Sequence, residues 1–359
     1  MDWQQNGQQN GQQNWPAPSA PKPIVLIGAG GIVRDAHLPA YRMAGLTVEG
    51  VTDLAPSRAR ALAADWGIAT VHASVAEATQ RGTAVVYDIA VPPGAITSIL
   101  PHLPDGAAVL IQKPMGPDQT TARDIRRICR DKGLKAAVNF QLRFSPMMMA
   151  ARQIIESGRI GDLLEVEVHL NVYTPWQIFP FLIPMDRVEI AVHSIHYLDT
   201  LRALAGTPKG VFARSLRDPR AADFAQTRTS VILDYDAPLR GIMSINHNHQ
   251  NGRRAQDASF RIEGTRGAIT IKLGVMYDYP RGEPDELWLA EDGGDWVQVP
   301  LSGGWFVEAF MGPMRNLQRF DAGEDAALFS GVEDAYQTMA LVEACFAAMT
   351  RPSEPLILD

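Results

Sequence analysis

Two groups of side chains in this sequence could take part in proton transfer. The first is Lys113, which follows the apolar run Ala107–Ile111 and lies between Gln112 and Pro114. Its ammonium group could hydrogen-bond a substrate hydroxyl and stabilise the alkoxide that precedes loss of a hydride. A lysine at the end of a strand is usually a solvated surface group. Its surroundings must therefore decide between the two interpretations.

The second group is Glu189, His193 and His196. Spacings of four and three residues place these side chains on one face of a helix. An acid and two imidazoles could be a proton acceptor with its orienting partners, because histidine changes charge near neutral pH. The alternatives are two ligands of a metal ion and a polar face packed on another domain. We predict no metal site, because the trio lacks a Cys or Asp partner at a recognisable spacing.

Other side chains that could bind a substrate or take part in a reaction give weaker evidence of such a role. His247 and His249 share one face of an expected strand, where a solvated or interface surface is the default and substrate contact the alternative. Trp176 lies in a loop, and half-buried packing or stacking on a sugar face suits its ring about equally. Cys129 and Cys345 are isolated in the sequence, which favours two small hydrophobes in a reducing cytosol over a disulfide or a zinc site.

The elements that would position Lys113 begin at a glycine turn near the start of the chain. Ile24–Ile27 is an apolar run typical of a buried strand, and Gly28-Ala-Gly-Gly31 leads from it into a helical pattern. This context predicts a dinucleotide-binding turn. Gly28 lets the chain turn, Gly30 leaves room for a pyrophosphate, and the helix N-terminus favours its charge. A purely structural turn is the alternative, and Val33 occupies the position of the usual third glycine.

Asp53 bears on the identity of the cofactor. It ends a second apolar run, Val48–Thr52, about 20 residues after the glycine turn, where such folds place a carboxylate on the ribose hydroxyls. A carboxylate repels a 2′-phosphate, although Arg58 could partly offset this repulsion. We therefore expect NAD, with NADP as the alternative.

Strands alternate with helices as far as residue 140, which predicts right-handed crossovers and a parallel sheet. Ligands bind such sheets at the carboxyl ends of the strands, so Lys113 is expected at the same edge as the glycine turn. The predicted cofactor contacts are Gly28, Gly30, Gly31, Ile32, Asp53, Arg58, Val91, Pro92, Gln112, Lys113, Asn139 and Arg143.

The pattern changes near Pro146. Strand-like runs then recur up to about residue 299, with a patterned helix over about 186–205 and two helical stretches at the end of the chain. We predict an α/β protein with a nucleotide-binding domain over 21–145 and an α+β domain with a mostly antiparallel sheet over 146–359. Residues 1–20 begin with a repeat of Gln-Gln-Asn-Gly before Trp15 and are predicted to be a disordered tail, unless Trp3 or Trp15 orders it against a neighbouring subunit.

Composition argues against several classes of partner. The 359 residues suit two domains, and a net charge of −7 argues against nucleic acid and anionic membranes. No apolar run approaches the ~20 residues that a membrane span needs. The first residues lack the basic and apolar regions of a signal peptide. We therefore expect a cytoplasmic protein.

Several of these motifs together resemble the glucose–fructose oxidoreductase / inositol dehydrogenase (Gfo/Idh/MocA) family. The resemblance runs from about Pro23 to the end of the chain. It rests on Gly28-Ala-Gly-Gly-Ile32, Gln112-Lys113-Pro114, Asn139 with Arg143-Phe-Ser-Pro146, His196-Tyr-Leu-Asp199 with Gly206, and Glu333-Asp-Ala335. It implies a Rossmann domain followed by an open-faced α/β domain that carries the substrate site, and a homo-oligomer such as a dimer or tetramer.

Carried over by position, the resemblance makes Lys113 the catalytic lysine and His196 the catalytic histidine. Val192 stands where the family has an Asp, and the role of that Asp could pass to His193 or Glu189. The alternative is that His193 is the base, with Glu189 as its acid.

The resemblance has two further departures. Gln112 replaces the usual Glu, and Ile96 stands where a histidine commonly follows the proline pair. The implied activity is NAD(P)-dependent oxidation of a secondary hydroxyl of a sugar, polyol or cyclitol. Alternatives are a glycosidase-type enzyme that uses NAD for transient sugar oxidation, and a non-catalytic sugar and cofactor sensor. The expected substrate contacts are Lys113, Trp176, His193 and His196.

Overall fold

The computed structural model describes residues 13–279, 281–353 and 355, which fall into two compact units. The first unit runs to Gln153 and resumes over residues 301–339, and the second comprises residues 154–300 and 340–359. This division differs from the predicted boundary after residue 145, because the chain returns to the first unit near its end. An amphipathic helix does not reveal in its own sequence which sheet it covers.

A parallel sheet forms the centre of the first unit. Its strands are β1 (Ile24–Ile27), β2 (Val48–Thr52), β3 (Thr70–Val71), β4 (Val86–Ile89), β5 (Ala108–Ile111) and β6 (Lys135–Val138). They pair in the order β3-β2-β1-β4-β5-β6, and each pair is parallel. Every residue of β1, β4 and β5 is buried, as expected for a parallel sheet covered on both faces. The predicted parallel sheet is confirmed.

Helices connect these strands and continue through the chain. They are α1 (Leu38–Met43), α2 (Pro56–Trp66), α3 (Val75–Ala78), α4 (Ile96–Ile99), α5 (Gln119–Asp131), α6 (Pro146–Glu156), α7 (Ile195–Ala205), α8 (Met311–Asp321) and α9 (Val332–Met349). Local signals explain their ends. Pro56 opens α2, where a missing N–H is tolerated, and Gly67 ends it in the left-handed conformation. The Asp118 side chain caps α5 by accepting the N–H of Thr121.

Helix α8 completes the apolar core of the first unit. Met314 and Leu317 are fully buried and belong to the same core as Ile24, Leu26 and Leu110 of the parallel sheet. The first of the two helical stretches predicted at the end of the chain therefore exists but packs on the first unit rather than on the second.

The end of the predicted tail, residues 13–20, is packed against the first unit. The Trp15 indole stacks on Phe329 at a centroid separation of 5.6 Å and meets Phe144 edge-on at 5.3 Å. Its Nε1 donates to Asp325, 310 residues further along the chain. The prediction of disorder is therefore wrong for this stretch, because Trp15 finds distant apolar partners. The rest of the tail lies outside the described residues.

The second unit contains a mixed, mostly antiparallel sheet. Its strands are β7 (Leu163–Asn171), β8 (Gly210–Leu216), β9 (Arg228–Asp234), β10 (Arg240–Asn246), β11 (Asp257–Gly264), β12 (Gly267–Lys272), β13 (Glu286–Glu291) and β14 (Val297–Gln298). They are ordered β14-β13-β12-β11-β7-β10-β9-β8, and only the β7–β10 pair is parallel. Burial alternates along β9, so one face of the sheet carries the core. The predicted fold class is confirmed.

No helix in the described part of the chain combines the length and apolar character that a membrane crossing requires.

Trp15→Ala tests the packing of the N-terminal segment. We expect it to destabilise the protein by about 2 kcal/mol, because the change removes a half-buried aromatic ring and its hydrogen bond. The measurement is the shift in the midpoint of urea unfolding. Trp296→Ala is the control, since Trp296 is 47% exposed, and we expect a change within about 0.5 kcal/mol. Equal shifts for the two variants would contradict the packing described for Trp15.

Candidate active site

The turn after β1 depends on glycine at position 28. The Gly28 N–H donates to the Thr52 carbonyl at 2.8 Å, and its φ of 115° lies in the region that favours glycine. A Cβ at this position would lie 2.3 Å from the carbonyl oxygen of Ala90. Only glycine therefore allows this turn to approach the end of β4.

The next part of the turn is open. A Cβ at Gly30 would meet nothing within 4 Å, whereas the Gly30 carbonyl accepts the N–H groups of Val33 and Arg34. This leaves space beside backbone N–H groups at the start of a helix, which suits a pyrophosphate. The following residues, Val33–His37, form a π-helical stretch, and Val33 is fully buried in the core. Gly31 is exposed and Ile32 is half-buried at the same turn.

Asp53 is held beside the glycine turn. Its Oδ2 accepts the N–H of Ala29 and its Oδ1 accepts the N–H of Ala55, both at 2.8 Å. Each carboxylate oxygen has a second lone pair, so both oxygens can still accept a hydrogen bond from a ribose hydroxyl. Arg58 is exposed in the first turn of α2. The donors and acceptors of this unit fit a dinucleotide.

Lys113 lies at the same edge of the sheet, directly after β5. Its side chain is half-buried, and desolvation lowers its pKa to about 8. The Lys113 N–H donates to Gln112 Oε1 at 3.2 Å, and the Lys113–Pro114 peptide is cis. Val91 and Pro92 follow β4 at this edge, the first half-buried and the second exposed. The predicted convergence of the glycine turn and Lys113 on one edge is what the parallel pairing produces.

Two of the predicted cofactor contacts bond to other protein groups. Asn139 is fully buried after β6, and its Nδ2 lies 3.2 Å from Nε2 of His37. The other ring nitrogen of His37 lies 2.7 Å from Oδ2 of Asp88, which is also fully buried. Arg143 is buried and pairs with Asp334 at 2.8 Å. Nothing in the sequence indicates the buried His37–Asp88 pair, which joins residues from a helix and a strand.

In the second unit, the helix expected over 186–205 has two parts. Glu189–Ser194 is a π-helix, and α7 follows it and ends at Gly206. The Ser194 hydroxyl donates to Oε1 of the fully buried Glu189 at 2.5 Å. The prediction that Glu189, His193 and His196 share one face assumed 3.6 residues per turn and does not apply to this stretch. π-Helical turns occur frequently at functional sites.

His193 lies among aromatic rings. Its ring centroid is 4.9 Å from that of His247, 5.5 Å from Trp176 and 6.4 Å from Phe179. The side chain is half-buried, whereas that of His196, in the first turn of α7, is 8% exposed. The structure therefore brings His193 together with His247, which the sequence marked only as a minor candidate.

His247 is fully buried between two polar partners. Its Nδ1 lies 2.8 Å from the Thr174 hydroxyl, and its Nε2 lies 3.4 Å from Oε1 of Glu189. His249 is 8% exposed, with Nε2 3.0 Å from the Gly252 carbonyl. The expectation of a solvated or interface surface is wrong for both histidines, because their strand end is covered within the second unit.

Trp176 is used in packing. It is 7% exposed, its Nε1 donates to Asn248 at 2.8 Å, and it packs on Phe224 at 4.8 Å. Cys129 and Cys345 are buried free thiols, and burial raises the pKa of each to about 12. Over residues 13–279, 281–353 and 355, no three His, Cys, Asp or Glu side chains are grouped to hold a metal ion.

Comparison with known proteins identifies the family. A family model described as "Oxidoreductase family, NAD-binding Rossmann fold" matches residues 22–140, and one described as "GFO/IDH/MocA C-terminal domain" matches residues 148–270. The chain belongs to the Gfo/Idh/MocA family. It is therefore an NAD(P)-dependent dehydrogenase, and both domains implied by the sequence resemblance are present.

The individual relatives and solved structures that resemble this chain have low sequence identity to it. An inositol 2-dehydrogenase from Rhizobium meliloti is 28% identical over 260 residues, 69% of this chain and 74% of the relative. An uncharacterized oxidoreductase from Escherichia coli is 31% identical over 120 residues, 33% of this chain and 34% of that protein. A levoglucosan dehydrogenase solved with NADH and levoglucosan shares the fold, with a TM-score of 0.75, 17% identity and coverage of 92% and 97%.

Gly30→Val tests the glycine turn as the cofactor site. The free protein should keep its stability within about 1 kcal/mol, because the added side chain starts in open space. Binding of NADH, measured by fluorescence titration, should weaken at least ~10-fold, because the side chain would fill the space that a pyrophosphate needs. Unchanged NADH affinity in a folded Gly30→Val protein would argue against a pyrophosphate at this turn.

Proposed function

We propose that this dehydrogenase oxidises a secondary hydroxyl of a sugar, polyol or cyclitol, with NAD as the preferred cofactor. The observation that carries the proposal is Lys113, a lysine of lowered pKa at the sheet edge that holds the glycine turn. When bound, the nicotinamide supplies the hydride acceptor. Asp53 supports the preference for NAD, because its carboxylate would repel a 2′-phosphate.

The role of Lys113 follows from its surroundings. Burial disfavours the ammonium form of Lys113, because little water is left to solvate its charge. Negative charge that develops on a nearby hydroxyl oxygen would therefore be strongly stabilised by this ammonium group. The ammonium donates a hydrogen bond to the hydroxyl oxygen and stabilises the alkoxide. A histidine of the second unit, His196 by position or His193, accepts the hydroxyl proton. In this proposal Glu189 is the acid that supports that histidine.

The substrate class is supported by the family and by the names of its members. The relatives include an inositol 2-dehydrogenase, and the structural neighbours include a levoglucosan dehydrogenase. Both names denote compounds with several secondary hydroxyls on a ring. A homo-oligomeric state and a cytoplasmic location stay predictions of the sequence.

A substrate panel tests the proposed activity. Sugars, polyols and cyclitols are incubated with NAD and with NADP, and the absorbance of reduced nicotinamide is followed. We expect net reduction with at least one member and a preference for NAD. Hydrolysis of a glycoside without net turnover of free NAD would support the glycosidase-type alternative. Binding of sugar and cofactor without either reaction would support the sensor alternative.

Lys113→Ala tests the role of the lysine. We expect kcat/KM for hydroxyl oxidation to fall by about 10²–10⁴, because the group that stabilises the alkoxide is lost. The matched control is Lys132→Ala, since Lys132 also follows a secondary-structure element of the first unit but pairs with Asp105 at the surface. If Lys113→Ala kept full turnover, the role proposed for this lysine would be wrong.

The pH dependence of wild-type activity tests the charge state of Lys113. The reactive form is the ammonium, and burial lowers the pKa from 10.5 to about 8. We therefore expect kcat/KM to fall as the pH rises through about 8. Lys113→Arg, which keeps its charge well above pH 10, should lose this alkaline fall even where its turnover is lower. A kcat/KM that rises through pH 8 would show that the neutral amine is the active form.

A further inference from the structure

Helix α8 extends from the carboxyl ends of the parallel strands to their amino ends. Its last residue, Asp321, pairs with Nζ of Lys135 at 2.7 Å, and Lys135 is the first residue of β6. Its start lies against the turn that follows β6, because a Cβ at Gly312 would be 2.5 Å from the Cβ of Phe144. The residues just before α8 therefore lie at the carboxyl edge of the sheet, where parallel sheets bind their ligands.

Apolar contacts join these residues to the helix of the glycine turn. The ring of Phe310, which directly precedes α8, is 5.5 Å from the ring of His37, centroid to centroid. His37 ends the π-helical stretch that follows the turn. Phe310 also belongs to a small buried core, and two half-buried residues pack on this core, Ile32 of the glycine turn and Val307. The segment 301–310 is thus fixed beside the turn that is expected to bind a pyrophosphate.

Phe306 is the exposed aromatic ring of this segment. It is 39% exposed, whereas its neighbour Trp305 is 7% exposed. The Phe306 ring meets that of Phe310 edge-on at 5.3 Å, and the start of the segment is held by the N–H of Ser302, which donates to Gln13 Oε1 at 2.8 Å. A single exposed ring is ordinary on a protein surface. This one is informative because its segment is anchored on both sides at the edge that fits a dinucleotide.

The order of the strands indicates which half of a dinucleotide is nearer to Phe306. Strand β1 lies between β2 and β4, and β5 and β6 follow beyond β4. Asp53, the acceptor proposed for the adenosine ribose, follows β2, so the adenosine half belongs on that side. Helix α8 contacts β5 and β6, and Lys113 follows β5. The segment before α8 is therefore on the side of the nicotinamide half.

We propose that Phe306 is a further contact of the bound cofactor and covers its nicotinamide riboside half. The phenyl ring packs on this half and shields that side of it from water, as aromatic rings do at ligand sites that are mostly apolar. Phe306 lies more than 250 residues after Gly28 in the chain, so no motif around the glycine turn indicates this role. The inference needs the cofactor and no sugar substrate, so it is independent of the proposed activity.

Two ligands test the contact and its position. NADH contains both halves of the cofactor, whereas ADP lacks the nicotinamide riboside. We expect Phe306→Ala to weaken NADH binding by about 5- to 10-fold, the size expected for the loss of one ring contact. ADP binding should stay within about twofold. NADH is measured by fluorescence titration of the full-length protein, and ADP by its displacement of NADH.

Each other outcome of this titration contradicts part of the proposal. Unchanged NADH affinity in folded Phe306→Ala would overturn the contact itself. Equal weakening of NADH and ADP would place Phe306 against the half that both ligands share, and would overturn its assignment to the nicotinamide side. The urea-unfolding midpoint shows whether the variant is folded. If Phe306→Ala does not fold, Phe306→Leu should show a smaller loss that is again confined to NADH.

Two further variants separate the ring from a general effect of surface change. Met43→Ala is the matched control, because Met43 is an apolar residue of the first unit, 54% exposed, at the end of α1 away from the glycine turn. It should leave both affinities within about twofold. Phe306→Tyr keeps the ring and should bind NADH within about twofold of the wild type. Equal losses in Phe306→Tyr and Phe306→Ala, or in Met43→Ala and Phe306→Ala, would overturn the proposal.

Discussion

The first unit depends on the close approach of two backbone segments, the turn after β1 and the end of β4. The Ala90 carbonyl occupies the place that a side chain at Gly28 would need. This approach keeps β1 and β4 side by side up to their carboxyl ends, where Asp53, which follows β2, accepts the N–H of the next residue of the turn, Ala29. The edge proposed to receive the cofactor is thus shaped by backbone contacts as well as by side chains.

The two units position their polar groups in different ways. In the first, the half-buried Lys113 lies two residues after the end of β5, and its position follows from the pairing of the sheet. In the second, Glu189 and His247 come from a π-helix and from the end of a strand, and they meet only in the folded unit. A strand end is fixed by the sheet alone, whereas the second arrangement also needs a helical distortion. Lys113 is accordingly the easier residue to find from sequence.

Local patterns were sufficient for most strands and helices. The bounds of α2 and β8 are marked by local residues, because a proline and a left-handed glycine flank the helix and alternating residues form the strand. The glycine turn and Asp53 were also recognisable, since their roles depend on spacing along the chain. Local patterns do not show which distant segment a residue packs against. The packing of Trp15 and of α8 on the first unit was not predicted for this reason.

The candidate site shows the same limit. Lys113 and the glycine turn were predicted at one edge because parallel strands impose it. The burial of His247 was missed, because the alternation Asn-His-Asn-His says that two histidines share a face and not what covers that face. The π-helix was missed because no residue type marks the change from an α-helical to a wider turn. The burial of His247 involves contacts with residues more than 50 positions away in the sequence, such as Glu189.

The return of the chain to the first unit has a consequence for biosynthesis. Met314 and Leu317 fill the same core as β1, although the ribosome makes them almost 300 residues later. The nucleotide-binding half must therefore wait, with part of its apolar interior uncovered, while residues 154–300 of the second unit are translated. A nascent chain that has left the exit tunnel only as far as α6 has an incomplete apolar core. Molecular chaperones are therefore most needed during this interval, when apolar surface of the first unit is exposed.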